Sequence, residues 1–227
     1  MEKCDVLIVG AGPTGLMLSC LLRRLGISIR LMDKNLSPAT ESRAIGIQAR
    51  TLELFQNLGI VEKLLRQGLR AGGAEIFLNG RRRLRIDISD MARADTPYPY
   101  LLFLSQASTE AILTEHLASV GGRIERGTNL VEFTQDEHLV HSLVKNNQGL
   151  ETRIQSQFII GCDGAHSRVR KQLGLNFHGS SYASEFIMAD ARVQWALPHD
   201  KLFAFLSPGN LGVFFPQSSA MSRVLSI

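Results

Sequence analysis

The chain has little of what builds an extracellular or membrane scaffold. Its 227 residues include three cysteines, three tyrosines and one tryptophan. Cys4, Cys20 and Cys162 are scattered, odd in number and free of any C-x-x-C pair. Neither a disulfide framework nor a cysteine-based metal site is therefore expected. No apolar run approaches the roughly 20 residues that span a bilayer. The N-terminal stretch lacks the basic start and cleavage site of a secretory signal. A cytoplasmic protein without membrane contact is expected. Charged residues make up an ordinary 20% of the chain, with a small net value of +4. The one dense basic cluster, Arg81-Arg82-Arg83-Leu84-Arg85, follows Asn79-Gly80. Asn-Gly is a two-residue hairpin signal, and charge on an edge strand blocks unwanted pairing. No aromatic series lies nearby to stack on bases. A solvated strand is the expectation there, and no nucleic-acid partner. There are no repeats and no low-complexity segment.

What is present is concentrated at the N-terminus. Asp5-Val6-Leu7-Ile8-Val9 runs directly into Gly10-Ala11-Gly12-Pro13-Thr14-Gly15, and Leu16 opens a helical pattern that Gly26 stops. A strand, a G-x-G-x-x-G turn and a helix form the first half of a dinucleotide-binding βαβ unit. Gly10 permits a sharp turn, Gly12 lets a pyrophosphate approach the backbone, and Gly15 lets helix and strand pack closely. Phosphates then meet the free N–H groups and positive dipole end of the helix. Ser28 to Met32 reads as the second strand, and Asp33 stands at its end, 18 residues after Gly15. An acid about 20 residues beyond the glycines accepts hydrogen bonds from a ribose diol. A free 2′-hydroxyl suits it, which favours FAD or NAD over NADP.

Further on, Gln48 to Asn57 and Val61 to Gln67 read as helices, and Ala74 to Leu78 with Leu84 to Ile88 as a hairpin. Tyr98 to Leu104 reads as a strand. Ser105 can cap a long helix from Ala107 to Val120, with Ile112, Leu113, His116 and Leu117 at helical spacing. Strands follow between Arg123 and Val144. Phe158-Ile159-Ile160 is wholly apolar, as in the middle of a parallel sheet. It leads into a second glycine-bearing turn, Gly161-Cys162-Asp163-Gly164, in which Ser167 can cap a short helix. From about residue 176 the pattern turns mostly β. The expected fold is α/β: a Rossmann-like FAD-binding domain with a central parallel sheet, from 1–73 and 98–176, plus a partial, mostly β substrate-binding domain from 74–97 and 177–227.

Three stretches together resemble the FAD-dependent aromatic hydroxylases, the single-component flavoprotein monooxygenases typified by para-hydroxybenzoate hydroxylase. These are Val9 to Leu16, Ser42-Arg43-Ala44-Ile45-Gly46-Ile47-Gln48-Ala49-Arg50-Thr51-Leu52-Glu53-Leu54-Phe55, and Gly161-Cys162-Asp163-Gly164-Ala165-His166-Ser167-Arg168-Val169-Arg170. The phenol-ring and polyketide hydroxylases look closest, by the Arg-Thr-Leu-Glu-Leu run. The resemblance implies FAD as cofactor, NAD(P)H as reductant, and O2 and a small aromatic substrate as reactants. It implies that Gly10, Gly12, Pro13, Thr14 and Gly15 hold the pyrophosphate and that Asp33, followed by Lys34, binds the adenosine ribose. Relatives more often have the longer Glu at the Asp33 position.

The resemblance further assigns Arg43 to the flavin side of the cofactor, Gln106 to the ribityl chain and the Leu130 backbone to adenine. Taken alone, Arg43 is a surface charge and Gln106 a plain helix-start residue. Asp163 either positions the nicotinamide cofactor near the pyrophosphate or orients its own turn. His166 has no role. Phe203, Phe205, Phe214 and Phe215 either line a substrate pocket or form ordinary core. No catalytic residue is identified. The family's later Gly-Asp-Ala-Ala stretch does not occur in these residues. A fragment or truncated product is expected, one that binds FAD weakly, does not hydroxylate, and exposes a sheet edge open to homo-oligomer contacts. A non-catalytic nucleotide-binding remnant, or a same-fold epoxidase, halogenase or reductase, are the alternatives.

Overall fold

The computed structural model describes residues 2–38, 44–88, 94–180, 184–218 and 221–227. It divides into two compact units, Met1–Glu41 with Thr109–Gly179, and Ser42–Ser108 with Ser180–Ile227.

The first unit is built on β1 (Glu2–Val9), α1 (Pro13–Arg24) and β2 (Ile29–Asp33). The second half of β1, Val6 to Val9, is apolar on both faces, and Leu7 and Ile8 are fully buried. That is the pattern of a parallel strand covered on both sides. It pairs in parallel with β2, Val6 to Val9 lying against Ile29 to Met32. On its other side it pairs in parallel with β11 (Glu151–Gly161), Val6 to Val9 facing Phe158 to Gly161. With β8 (Ile124–Arg126), β9 (Asn129–Gln135) and β10 (Val140–Lys145), the sheet order is β8-β2-β1-β11-β10-β9. Leu7, Val9, Met32, Leu130, Val144, Ile154 and Val169 form a continuous buried cluster in this unit. Helix α1 buries Leu16 and Cys20, and the Cys20 thiol donates to the carbonyl of Leu113 at 3.6 Å. Burial pushes that thiol up to about 11. Leu113 belongs to the helix Gln106–Ser119 (α4), whose start is capped by the Ser105 hydroxyl on the Ser108 N–H.

Strand β11 differs from the expectation of a wholly covered strand. Strand β10 pairs only with Glu151 to Ser156. Among the described residues no strand pairs with 157–161 on that side, and Phe158 is 62% exposed.

The second unit holds the β-rich remainder. Hairpin β5 (Gly73–Leu78) and β6 (Arg81–Asp87) turns at Asn79-Gly80, both with positive φ. Strand β6 is the sheet edge, and its arginines are exposed, as expected of a solvated edge strand. Strands β12 (Ile187–Arg192), β13 (Lys201–Ser207), β14 (Asn210–Pro216) and β15 (Met221–Ser226) complete the order β12-β15-β14-β13-β5-β6. The join is the parallel pairing of β13 with β5. A three-stranded sheet, β3 (Gly46–Ile47), β7 (Leu101–Phe103) and β4 (Leu69–Ala71), packs with it through Phe103, Ile45, Ala71, Leu202 and Phe215. Helices α2 (Ala49–Asn57) and α3 (Val61–Gln67) lie between β3 and β4 in the chain. The described residues 44–73 and 98–108, grouped by sequence with the FAD-binding part, fall in the same unit as the β-rich strands.

Strand alternation separates the four phenylalanines. Phe203, Phe205 and Phe214 gather around Trp195, with ring centroids 4.9 to 6.1 Å from it. Phe215 turns to the opposite face and meets Phe103 edge-on at 6.0 Å. Cross-strand neighbours Asp190 and Arg223 form a two-pronged ion pair at 2.9 Å.

Two measurements follow from these contacts. The Arg223 guanidinium holds the Asp190 carboxyl below its ordinary 3.8. A carboxyl depressed in the folded state stabilises above its unfolded value and loses that contribution as pH falls through the folded one. Urea denaturation of Asp190→Asn should therefore show a weaker fall in stability below about pH 4 than the parent chain. Separately, Phe158→Lys should reduce concentration-dependent association in sedimentation while leaving the denaturation midpoint within about 0.5 kcal/mol.

Candidate nucleotide-binding site

The site grows from the junction of β1 and α1. Gly10 has φ of 103°, and a Cβ there would stand 2.4 Å from the Cys162 carbonyl oxygen. A Cβ on Gly15 would stand 1.9 Å from the Gly10 oxygen. Both glycines are thus required by backbone packing against backbone. Gly12 is different. Its φ of −76° and ψ of −175° suit any residue, and a Cβ there would meet nothing within 4 Å. The fold makes no demand for glycine at this position.

Gly12 is also the N-cap of α1, and Pro13 occupies the first turn, where its missing N–H costs nothing. No side chain caps this helix, and its first turn holds no acidic residue. Helix N-termini carry unsatisfied N–H groups and a partial positive charge. The end of α1 is left open to an anion, beside a glycine that leaves room for one. A pyrophosphate fits both features.

Asp33 closes the turn from the side. Its Oδ2 accepts from the Ala11 N–H at 2.7 Å and its Oδ1 from the Asn35 N–H at 2.8 Å. Arg126, its cross-strand neighbour on β8, lies 3.8 Å from Oδ2. Backbone bonds from Gly127 to Asn35 and from Thr128 to Asp33 tie the start of β9 to the same end of β2. Leu130, 1% exposed, follows two residues later. Lys34 is exposed beside Asp33.

The second glycine-bearing turn presses on the first. The Cys162 N–H donates to the Val9 carbonyl at 2.7 Å. The Asp163 carboxylate is engaged inside its own turn: Oδ1 accepts from the Ser167 hydroxyl at 2.5 Å and Oδ2 from the Arg168 N–H at 2.6 Å. The Ser167 hydroxyl accepts from the Arg170 N–H and caps α5 (Arg168–Gln172), as its position in the sequence suggested. Of the two readings of Asp163, these bonds supply the turn-orienting one. Desolvation, with Asp163 beside it, raises the Cys162 thiol above its ordinary value.

The first unit therefore brings together Gly10, Gly12, Pro13, Thr14, Gly15, Asp33, Lys34, Leu130 and Asp163. Gln106 starts α4 in the second unit, its N–H on the Ala44 carbonyl at 3.2 Å. Arg43 lies outside the described residues. Sequence reasoning missed Arg126 and the side chain of Arg168. No local pattern marks the first; only the pairing of β2 with β8 places it beside Asp33.

The family model described as FAD binding domain matches residues 3–224. The chain belongs to the FAD-binding domain family. Among curated relatives, this FAD-binding chain is 35% identical over 197 residues to a 12-dehydrotetracycline 5-monooxygenase/anhydrotetracycline 6-monooxygenase of Streptomyces rimosus, covering 87% of itself and 38% of that protein. It is 36% identical over 188 residues to a rifampicin monooxygenase of Streptomyces venezuelae, covering 82% of itself and 37% of that protein. The chain thus spans well under half the length of these relatives. Its fold superposes on p-nitrophenol 4-monooxygenase PnpA from Pseudomonas putida with a TM-score of 0.90 at 22% identity, over 99% of this chain and 58% of that one. The flavin-dependent monooxygenase PieE, solved with FAD and substrate, gives 0.86 at 25% identity, over 99% and 42%.

The glycine geometry separates two substitutions. Gly15→Ala should lower unfolding stability by about 3 kcal/mol through overpacking. Gly12→Ala should stay within about 0.5 kcal/mol of the parent in the same urea titration.

Proposed function

We propose that this chain is the FAD-binding portion of an NAD(P)H- and O2-dependent monooxygenase that hydroxylates an aromatic, phenolic or polyketide-like substrate. The observation that carries the nucleotide-binding part of this reading is Gly12, with open space and an uncapped helix end where the fold itself asks for neither. The monooxygenase part is supported by the similarity to the two Streptomyces monooxygenases. When bound, FAD takes reducing equivalents from NAD(P)H and supplies the oxygen chemistry.

The residues of this chain bind and orient. The α1 N-terminus, from Gly12 to Gly15, holds the pyrophosphate. Asp33 fixes the turn through Ala11 and offers its carboxylate to the adenosine ribose, with Lys34 and Arg126 beside it. The backbone at Leu130 meets adenine. Asp163 fixes the second turn, and through Cys162 that turn supports Gly10. Arg43 and Gln106 take the flavin side. Strands β13 and β14 contribute to the substrate part, where Phe203, a fully buried residue, supports core packing rather than pocket lining. The described cysteines are free, which supports a reducing, cytoplasmic compartment. The open edge of β11 supports contact between copies as the route to a homo-oligomer.

FAD titrated into the chain, followed by flavin fluorescence, tests the reading. Binding should saturate, and Gly12→Val should weaken it at least about tenfold, roughly 1.4 kcal/mol, without moving the denaturation midpoint. FAD that does not bind, or binds Gly12→Val equally well, contradicts it. In a protein of the relatives' length that carries this chain, NAD(P)H oxidation should depend on a phenolic compound and yield its hydroxylated product.

A further inference from the structure

Strand β9 carries an irregularity beside the residue assigned to adenine. Leu143 on β10 faces Glu132, and the next residue, Val144, faces Leu130. Val131 is left without a cross-strand partner. An extra residue of this kind bends its strand, and such bulges recur next to functional sites, where they re-aim the neighbouring positions. A bulged residue also loses ladder hydrogen bonds, and the group it frees needs another partner.

Arg168 supplies that partner from 37 residues away. Its Nη2 donates to the Val131 carbonyl at 2.8 Å and its Nε donates to the same oxygen at 3.2 Å. The backbone N–H of Arg168 is at the same time held by Asp163. One residue therefore ties the turn that supports Gly10 to the bulge that follows Leu130. The start of the same strand is anchored at the other end, where Thr128 bonds the Asp33 carbonyl.

We propose that Arg168 is a positioning residue for the adenine end of the nucleotide site: its guanidinium holds the Val131 bulge and so sets the backbone at Leu130. This rests on the reading that the site takes the adenosine part of FAD. Arg168 acts through the Val131 carbonyl and not by touching the nucleotide. A lysine offers one point donor in place of the planar fork and replaces it only in part.

The test uses the chain with ADP and inorganic pyrophosphate as probes in calorimetric titration, and amide exchange without any ligand. Arg168→Met should weaken ADP about tenfold, the worth of one well-placed hydrogen bond, and leave pyrophosphate within about twofold. Arg168→Lys should fall between the two proteins. Without ligand, exchange near residues 130–132 should quicken in Arg168→Met while exchange in β1 stays unchanged. Equal weakening of ADP and pyrophosphate would reveal a general structural role and overturn the proposal. So would parent-like ADP binding, or unchanged exchange at the bulge. A parent chain that binds pyrophosphate but not ADP would overturn the adenosine reading together with it, whatever the variants do.

Discussion

The contact on which the first unit depends is backbone against backbone. The turn after β1 and the turn after β11 meet where neither Gly10 nor Gly15 has room for a side chain. The Val9 carbonyl accepts from Cys162, the Gly10 N–H donates to Met32, and Asp33 reaches back to Ala11. Three strands thus converge on one turn at their carboxyl ends, the place where open α/β sheets bind ligands. The turn is rigid because its own packing leaves it no alternative, and Gly12 projects from it into free space.

That arrangement explains a division of labour among residues that look alike in the motif. Gly10 and Gly15 serve the fold, whereas the fold leaves Gly12 free for the proposed pyrophosphate. Asp33 and Asp163 are both acids at strand ends, and both spend carboxylate oxygens on backbone N–H groups of nearby turns. Each acts first on local geometry. Preorganisation of this kind lowers the entropic cost of binding, because the turns that present the α1 N-terminus are set before a nucleotide arrives.

Much of this was legible in the sequence because it is local. The strand–glycine–helix order, the Asn79-Gly80 hairpin, and the caps at Ser105 and Ser167 are each written within a few residues. What was not legible depends on pairing between distant segments. Arg126 meets Asp33 only through the β2–β8 register, and Arg168 meets Val131 only because β9 bulges. The exposure of Phe158 also escaped, since an apolar run does not tell how far its neighbour extends along it. The phenylalanines on β13 and β14 show the same limit: alternation separates Phe214 from Phe215, but only the sheet says which face Trp195 covers.

The proposed cradle of the FAD pyrophosphate is the turn from Gly10 to Gly15, braced by the second turn. Hydrogen exchange of the chain with and without FAD tests it most directly. Slowed exchange confined to the amides of 11–16, 33–35 and 128–132 is the expected footprint. Protection elsewhere, with the α1 N-terminus exchanging as freely as before, would contradict it.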